Sequence, residues 1–225
     1  MRYGAPVTRF VTRRCTAPEC GLRFPIAARE TMLGERCPRC SAPTQVVDDG
    51  YETHGVRTRG GDDGARGPEL EVLLDNIRSV HNVGAIVRAA DGAGVRHIHL
   101  GGFTPTLDHP RMAKTSLGAE LRVPWTSHRD GLMAAMSLRE RGLSLWALEG
   151  GPRSRSLFSV IADADPRRPI ALACGHEVSG VDPRIVELCD EVVRIPMAGV
   201  KESLNVAVAF GVAVYVVRHA LRPPA

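Results

Sequence analysis

Long apolar runs are missing from this 225-residue chain. The longest uncharged one, Val206 to Val217, has twelve residues, short of the roughly 18 that span a bilayer. The amino-terminal stretch MRYGAPVTRFVTRRC holds no apolar block of signal-peptide length. These absences predict a soluble, cytoplasmic protein with no membrane attachment. Lysine is nearly absent as well: Lys114 and Lys201 are the only two among 29 basic residues. A net charge of +4 with no dominant basic block permits a nucleic-acid partner without demanding one. Wholesale disorder is excluded, since 44% of the residues are hydrophobic and 24% charged. A chain of this size buries roughly 70% of its unfolded surface, enough for a self-sufficient core.

Cysteine is scarce but concentrated, with four of the six inside the first 40 residues. Cys15 and Cys20 enclose TAPE, and Cys37 and Cys40 enclose PR. Two short-range pairs, each on a tight turn helped by Pro18, Gly21 or Pro38, are what a tetrahedral thiolate zinc site requires. Residues 1–44 therefore read as a zinc-ribbon-like module whose metal supplies folding energy that a small core cannot. All four coordination positions are filled by sulfur, which predicts a structural rather than a catalytic ion. The alternative, two disulfides, is disfavoured in a cytosolic chain. Arg13, Arg14, Arg23, Arg36 and Arg39 offer the module a basic face toward RNA or protein. Residues 45–68 carry six glycines and no apolar periodicity, and read as a mobile linker.

From Glu69 to the end, residues 69–225, short apolar runs alternate with helical patterns. Strands are predicted over Leu70–Leu74, Val95–Leu100, Leu121–Trp125, Leu143–Leu148, Ile170–Cys174 and Val192–Ile195. Helical spacing covers Val83–Ala93, Arg129–Arg141 and Pro183–Cys189. Such alternation with apolar strands predicts an α/β fold with a parallel sheet covered on both faces. Ligands bind such sheets at the loops leaving the strand carboxyl ends. Three of those loops hold polar clusters. In residues 75–95, Asn82 is a candidate helix cap followed by Arg88. In 171–181, Gly175, Glu177 and Gly180 precede a new helix. In 194–222, Ser203 and Asn205 open a helix that is apolar nearly all round, which must be buried in the core or in a subunit interface.

Taken in order, NVGAIVRAADGAG, CGHEVSGV and IPMAGVKESLNVAVA closely resemble the three motifs of the SpoU/TrmH family of RNA methyltransferases, within the SPOUT superfamily. KTSLGAE, residues 114–120, resembles an intermediate block of that family. The resemblance covers residues 70–220 and none of the first 68. It implies an S-adenosylmethionine-dependent ribose 2′-O-methyltransferase, homodimeric, with a carboxyl-terminal trefoil knot. Periodicity alone would never suggest a threaded chain. Carried onto this sequence, the donor-binding positions are Gly175, Ile195 and Leu204, with Leu148, Glu149 and Pro196 beside them.

The resemblance assigns proton removal to Arg88. A guanidinium normally stays protonated, so a grip on RNA phosphate that orients the hydroxyl is the chemically preferred role. Glu177 is the alternative base, or else the partner that holds an arginine. Asn82, Ser203 and Asn205 would orient the ribose, Arg88 or the donor, although Asn205 could equally be a simple helix cap. Transfer RNA is slightly favoured over ribosomal RNA as substrate. Two rival functions stay open: a zinc-dependent RNA-binding adaptor with a vestigial enzyme domain, and a base-methylating SPOUT enzyme. Cys174 and Cys189 read as buried structural thiols. His81, His97, His99 and His109 show no metal-like spacing and read as ordinary surface or core residues.

Overall fold

Four short antiparallel strands build the amino-terminal unit of the computed structural model, which describes residues 8–53 and 67–221 and divides into units 1–62 and 63–225. Strand β1 (Thr8–Cys15) is central: β2 (Arg23–Ala27) pairs with one edge, and β3 (Thr44–Val46) and β4 (Tyr51–Thr53) with the other. A 3₁₀ helix, Ala28–Gly34, follows β2. Two strands thus fall within or beside the stretch 45–68 expected to be a linker, and its residues 54–66 lie outside the described ones. The reason is local. Gly50, at φ +81°, turns the chain so closely that a Cβ there would stand 2.6 Å from the Phe10 carbonyl oxygen. That turn sets Tyr51 directly opposite Phe10.

The second unit is a seven-stranded, wholly parallel sheet. Its strands are β5 (Leu70–Asp75), β6 (His97–Gly101), β7 (Trp125–His128), β8 (Ser144–Leu148), β9 (Arg155–Ser156), β10 (Ile170–Cys174) and β11 (Glu191–Arg194). They lie in the order β7-β6-β5-β10-β8-β11-β9. Every residue of the central pair β5 and β10 is buried, as expected of strands covered on both faces. On one face pack α1 (Val80–Gly92), α4 (Leu157–Asp163) and α6 (Val206–Ala220). On the other pack α3 (Gly131–Glu140) and α5 (Pro183–Leu188). Val83, Ile86, Val87 and Ala90 give α1 its buried stripe at helical spacing. The short α2 (Ala113–Ser116), in the KTSLGAE block, lies so close to α1 that a Cβ on Gly84 would overlap the Thr115 hydroxyl at 1.8 Å.

Three expectations shift. The strand placed at Leu121–Trp125 runs instead over Trp125–His128, because Ala119–Leu121 is a 3₁₀ turn entered through the left-handed residues Leu117 and Gly118. Ser79, not Asn82, caps α1, its hydroxyl accepting from the Asn82 amide at 3.3 Å. And α6 is one-sided: Phe210, Ala213, Val214 and Val217 are buried, whereas Val208, Val212 and Tyr215 are exposed. The β9–α4 segment had no counterpart in the sequence reading; two residues of strand leave too short a pattern.

Candidate active site and a thiol cluster

The three polar loops meet at the carboxyl end of the sheet. There the ends of β8, β10 and β11 and the start of α6 surround a cavity of about 410 Å³. Leu148, Glu149, Gly175, Ile195 and Leu204 line it, as do Glu177, Ser203 and Asn205. Pro196 does not, although its neighbours Ile195 and Met197 do.

The loop after β10 is held by a close approach of backbone to backbone. A Cβ on Gly175 would stand 2.2 Å from the main chain of Gly180 and Val181, so only glycine fits. Gly180, at φ +74°, closes the turn against the Glu149 carboxylate. Glu149 Oε2 accepts from the Val181 amide at 3.0 Å, and Oε1 from Gly150 at 3.0 Å. His176 Nδ1 accepts from the amides of Val178 and Ser179 at 3.1 and 3.2 Å. His176 therefore shapes the loop.

Glu177 ties this loop to the first one. Its carboxylate accepts from the backbone amides of Arg78 (3.1 Å) and Ser79 (3.0 Å) and from Asn82 Nδ2 (3.0 Å). Burial pushes its carboxyl up, but the hydrogen bonds from Arg78, its own amide, Ser79 and Asn82 outweigh that and bring it to about 2. A carboxylate so acidic and so fully engaged is a poor base at neutral pH. From Asn82 the chain of bonds continues to the third loop: Asn205 Nδ2 donates to Asn82 Oδ1 at 3.1 Å. Asn205 Oδ1 in turn caps α6, accepting from Ala207 and Val208 at 2.9 and 3.3 Å. The two readings of Asn205, cap and site residue, are both realised, one by each end of its amide. Ser203 stands three residues before the first residue of α6, in the cavity wall.

Arg88 is exposed, lies two turns further along α1 than the Asn82 side, and does not line the cavity. Among the described residues its guanidinium makes no hydrogen bond or ion pair. Cys174, beneath the cavity floor, and Cys189 are both pushed up to about 12 by burial, as inert thiols should be.

Two histidines set aside in the sequence belong to a network. Glu71, almost fully buried in β5, accepts from Arg141 at 2.9 and 2.5 Å, and its Oε2 lies 2.9 Å from His99 Nε2. His99 Nδ1 lies 3.0 Å from His128 Nε2, and His97 stacks at a tilt on His99. Burial lowers all three imidazoles, keeping them neutral. A glutamate inside an otherwise apolar strand was the signal that such partners were needed.

In the amino-terminal unit the four sulfurs of Cys15, Cys20, Cys37 and Cys40 all lie within 4.8 Å of one another, without a disulfide. Cys15–Cys40 is 3.4 Å and Cys20–Cys37 is 3.7 Å. A tetrahedron with Zn–S bonds of about 2.3 Å has edges of about 3.8 Å. Main-chain amides point at the sulfurs: Ala17 at Cys15, Leu22 at Cys20, Arg39 and Cys40 at Cys37. Burial raises Cys37, but those amides together with the Cys40 and Cys20 side chains bring the thiol down to about 7, whereas burial pushes Cys15 up to about 12 and Cys20 is raised as well.

A parallel sheet whose last strands and carboxyl-terminal helix enclose a cavity walled by the second and third polar loops and the end of β8, with Asn82 of the first loop tied to it through Glu177 and Asn205, defines a SPOUT-type methyltransferase architecture. The chain belongs to the SpoU rRNA Methylase family, whose model matches residues 69–215. It is 35% identical over 153 residues to a 23S rRNA (guanosine-2′-O-)-methyltransferase of Ralstonia nicotianae, covering 68% of this chain and 59% of that one. It is also 35% identical over 150 residues to a tRNA (guanosine(18)-2′-O)-methyltransferase of Thermus thermophilus, covering 67% and 74%. The AdoMet-bound rRNA methyltransferase of Sinorhizobium meliloti superposes with a TM-score of 0.62 at 26% identity, covering 68% of this chain and 57% of that one. The chain thus spans about six tenths of the first relative's length.

Proposed function

We propose that the protein is an S-adenosylmethionine-dependent RNA methyltransferase acting on a ribose 2′-hydroxyl. The observation that carries this reading is the bond chain Glu177–Asn82–Asn205, which joins the three family motifs, with Glu177 and Asn205 in the wall of one cavity. Relatives are named for ribosomal and for transfer RNA alike, and transfer RNA is the substrate to try first. The intact polar set argues against a vestigial domain.

Gly175, Ile195, Leu204, Leu148 and Glu149 are suited to hold the donor, which when bound supplies an electrophilic methyl group. The narrow Gly175 turn and the backbone of 195–204 offer main-chain donors and acceptors, and the cavity volume suits a ligand of that size. Positioning supplies much of the barrier reduction in such a transfer, about 7–11 kcal/mol in well-oriented systems. Glu177 acts as a positioning residue that fixes the start of α1 and the Asn82 amide. Asn82, Ser203 and Asn205 face the ribose. Arg88, with no partner among the described residues, pairs with RNA phosphate and poises the hydroxyl. Because Arg88 stands outside the cavity wall, its natural place is a site completed by a second copy. The exposed Val208, Val212 and Tyr215 of α6 supply a dimer surface.

The threaded topology of the family is supported by strand order. The chain leaves β8, makes β9, and later inserts β11 between those two before entering α6. For the amino-terminal sulfurs we propose structural Zn²⁺.

Methyl transfer to unmodified tRNA and rRNA, followed by alkaline digestion, tests the reaction: ribose methylation leaves an uncut dinucleotide, base methylation does not. Arg88→Ala should abolish single-turnover transfer with little change in donor affinity. Arg88→Lys should rescue little, because a point charge lacks the planar fork. An alanine variant within a few-fold of wild type would remove Arg88 from the mechanism.

A further inference from the structure

The amino-terminal sheet has two different faces. By strand alternation, Val11, Arg13 and Cys15 point to one side and Phe10, Thr12 and Arg14 to the other. The first side is covered. Gly34 of the 3₁₀ helix sits so close that a Cβ there would meet Arg13 at 2.5 Å and Ile26 at 2.8 Å. Arg13 is also spoken for, donating to the Thr44 hydroxyl at 2.7 Å and carbonyl at 3.1 Å.

The second side carries two features that suit a ligand. Arg14 and Arg23 stand directly opposite each other across β1 and β2. Like charges in that relation repel, and both side chains are exposed with no ion pair among the described residues. Asp48 accepts from the Thr12 hydroxyl and from the amides of Thr12 and Gly50, both amides at 3.0 Å, which hold its carboxyl below the ordinary range; it stays negatively charged on this side and partly balances Arg23. Roughly 13 Å along the same face, four residues of strand away, Phe10 and Tyr51 stack with centroids 5.8 Å apart and planes 20° apart. Tyr51 is 45% exposed, which leaves ring surface among the described residues for another flat group.

We propose that this face binds single-stranded RNA, with a base stacking on the Tyr51–Phe10 pair and a backbone phosphate bridging Arg14 and Arg23. An anion between the arginines turns their repulsion into a two-sided clamp. Base stacking on an aromatic beside a cationic groove is a sequence-tolerant way to hold an unpaired strand. The choice of RNA over another polyanion rests on the methyltransferase reading; the clamp and the stacking platform do not.

The test uses the full chain, without methyl donor, and a fluorescein-labelled single-stranded oligoribonucleotide read by anisotropy. Tyr51→Ala should weaken binding about tenfold or more, while Tyr51→Phe, which keeps the ring, should bind as wild type. Arg14→Ala with Arg23→Ala should weaken binding and lower the salt dependence by about one to two phosphate equivalents. Arg9→Ala, at an exposed arginine on the opposite side of β1, should change neither. Zinc content equal to wild type in every variant shows that the module is folded. Unchanged affinity in both the double arginine and the Tyr51→Ala variants, or an equal loss in Arg9→Ala, would overturn the proposal and leave the face to a protein partner. Face-dependent binding without methyl transfer would refute only the catalytic reading. Normal transfer with unaltered binding in the variants would refute only this one.

Discussion

The two units reach a fixed structure by different means. Among the described residues of the first, the buried apolar side chains are Cys15, Ala27 and Cys37, and two of these are thiols of the sulfur cluster. The second buries two contiguous apolar clusters, one on each face of a seven-stranded sheet. The hydrophobic effect can hold the second unit together alone; among the described residues of the first it has only partly buried side chains such as Val11, Phe24 and Ile26 to act on. An ion bound by four thiolates would supply what burial does not. The contrast extends to polar groups: in the second unit hydrogen bonds such as Glu177–Asn82–Asn205 arrange a site on a scaffold already stable.

The largest expected effect breaks the first unit and spares the second. Strong chelation, or Cys37→Ser, should remove folding energy on the order of 10 kcal/mol from the module. Amide exchange across 8–53 should then lose protection. Both tryptophans, Trp125 and Trp146, lie in the second unit, so their fluorescence should stay unchanged, and so should donor affinity. Loss of the tryptophan signal together with the metal would mean that the units are stabilised jointly.

The converse variant is Leu172→Ala, at the middle of β10 and fully buried. Cavity formation in a packed core costs about 2–5 kcal/mol. Urea unfolding followed by tryptophan fluorescence should show that loss while amide-exchange protection across 8–53 is retained. A loss under 1 kcal/mol would show that the sheet core relaxes around the gap.

The same contrast explains what could be read from the sequence. Strands β5 and β10 were legible because burial on both faces leaves an uninterrupted apolar run with sharp ends. The cysteine cluster was legible because chelation by one ion demands short spacings that the sequence displays directly. The cap of α1 was not: Ser79 and Asn82 are both good caps, and the choice was made by Glu177, nearly a hundred residues away. Glu177 itself was visible as a polar site residue, but its tie to two backbone amides was not, since main-chain partners leave no mark in residue types. The Phe10–Tyr51 stack was hidden for a similar reason: it depends on Gly50 turning the chain within a segment whose glycines resemble a linker.

The smallest effect concerns Glu177, and it separates a structural carboxylate from a catalytic one. The folded protein holds this carboxyl at about 2, below the 4.5 of an unperturbed glutamate. A group with a depressed folded value stabilises the fold fully above its unfolded value. That contribution is lost as pH falls from about 4.5 toward 2. Glu177→Gln should therefore destabilise the second unit at pH 7, because the carboxamide turns an N–H toward the amides of Arg78 or Ser79. The gap between variant and wild type should narrow as the pH falls from about 4.5 toward 2, because the unfolded wild-type chain takes up a proton there that the folded carboxylate does not. Tryptophan fluorescence confines the measurement to the unit that holds Glu177, and the other carboxylates titrate in both proteins and cancel. The side chain is exposed, so solvent screening keeps the difference well below that of Leu172→Ala. In the same pair of proteins, a pH–rate profile for methyl transfer should keep its shape while its height falls, as expected of a positioning residue. A gap in stability that stays constant from pH 7 to pH 3 would show that the carboxylate is not bonded to the start of α1. A rate profile that loses an ionisation in Glu177→Gln would make it a proton acceptor after all.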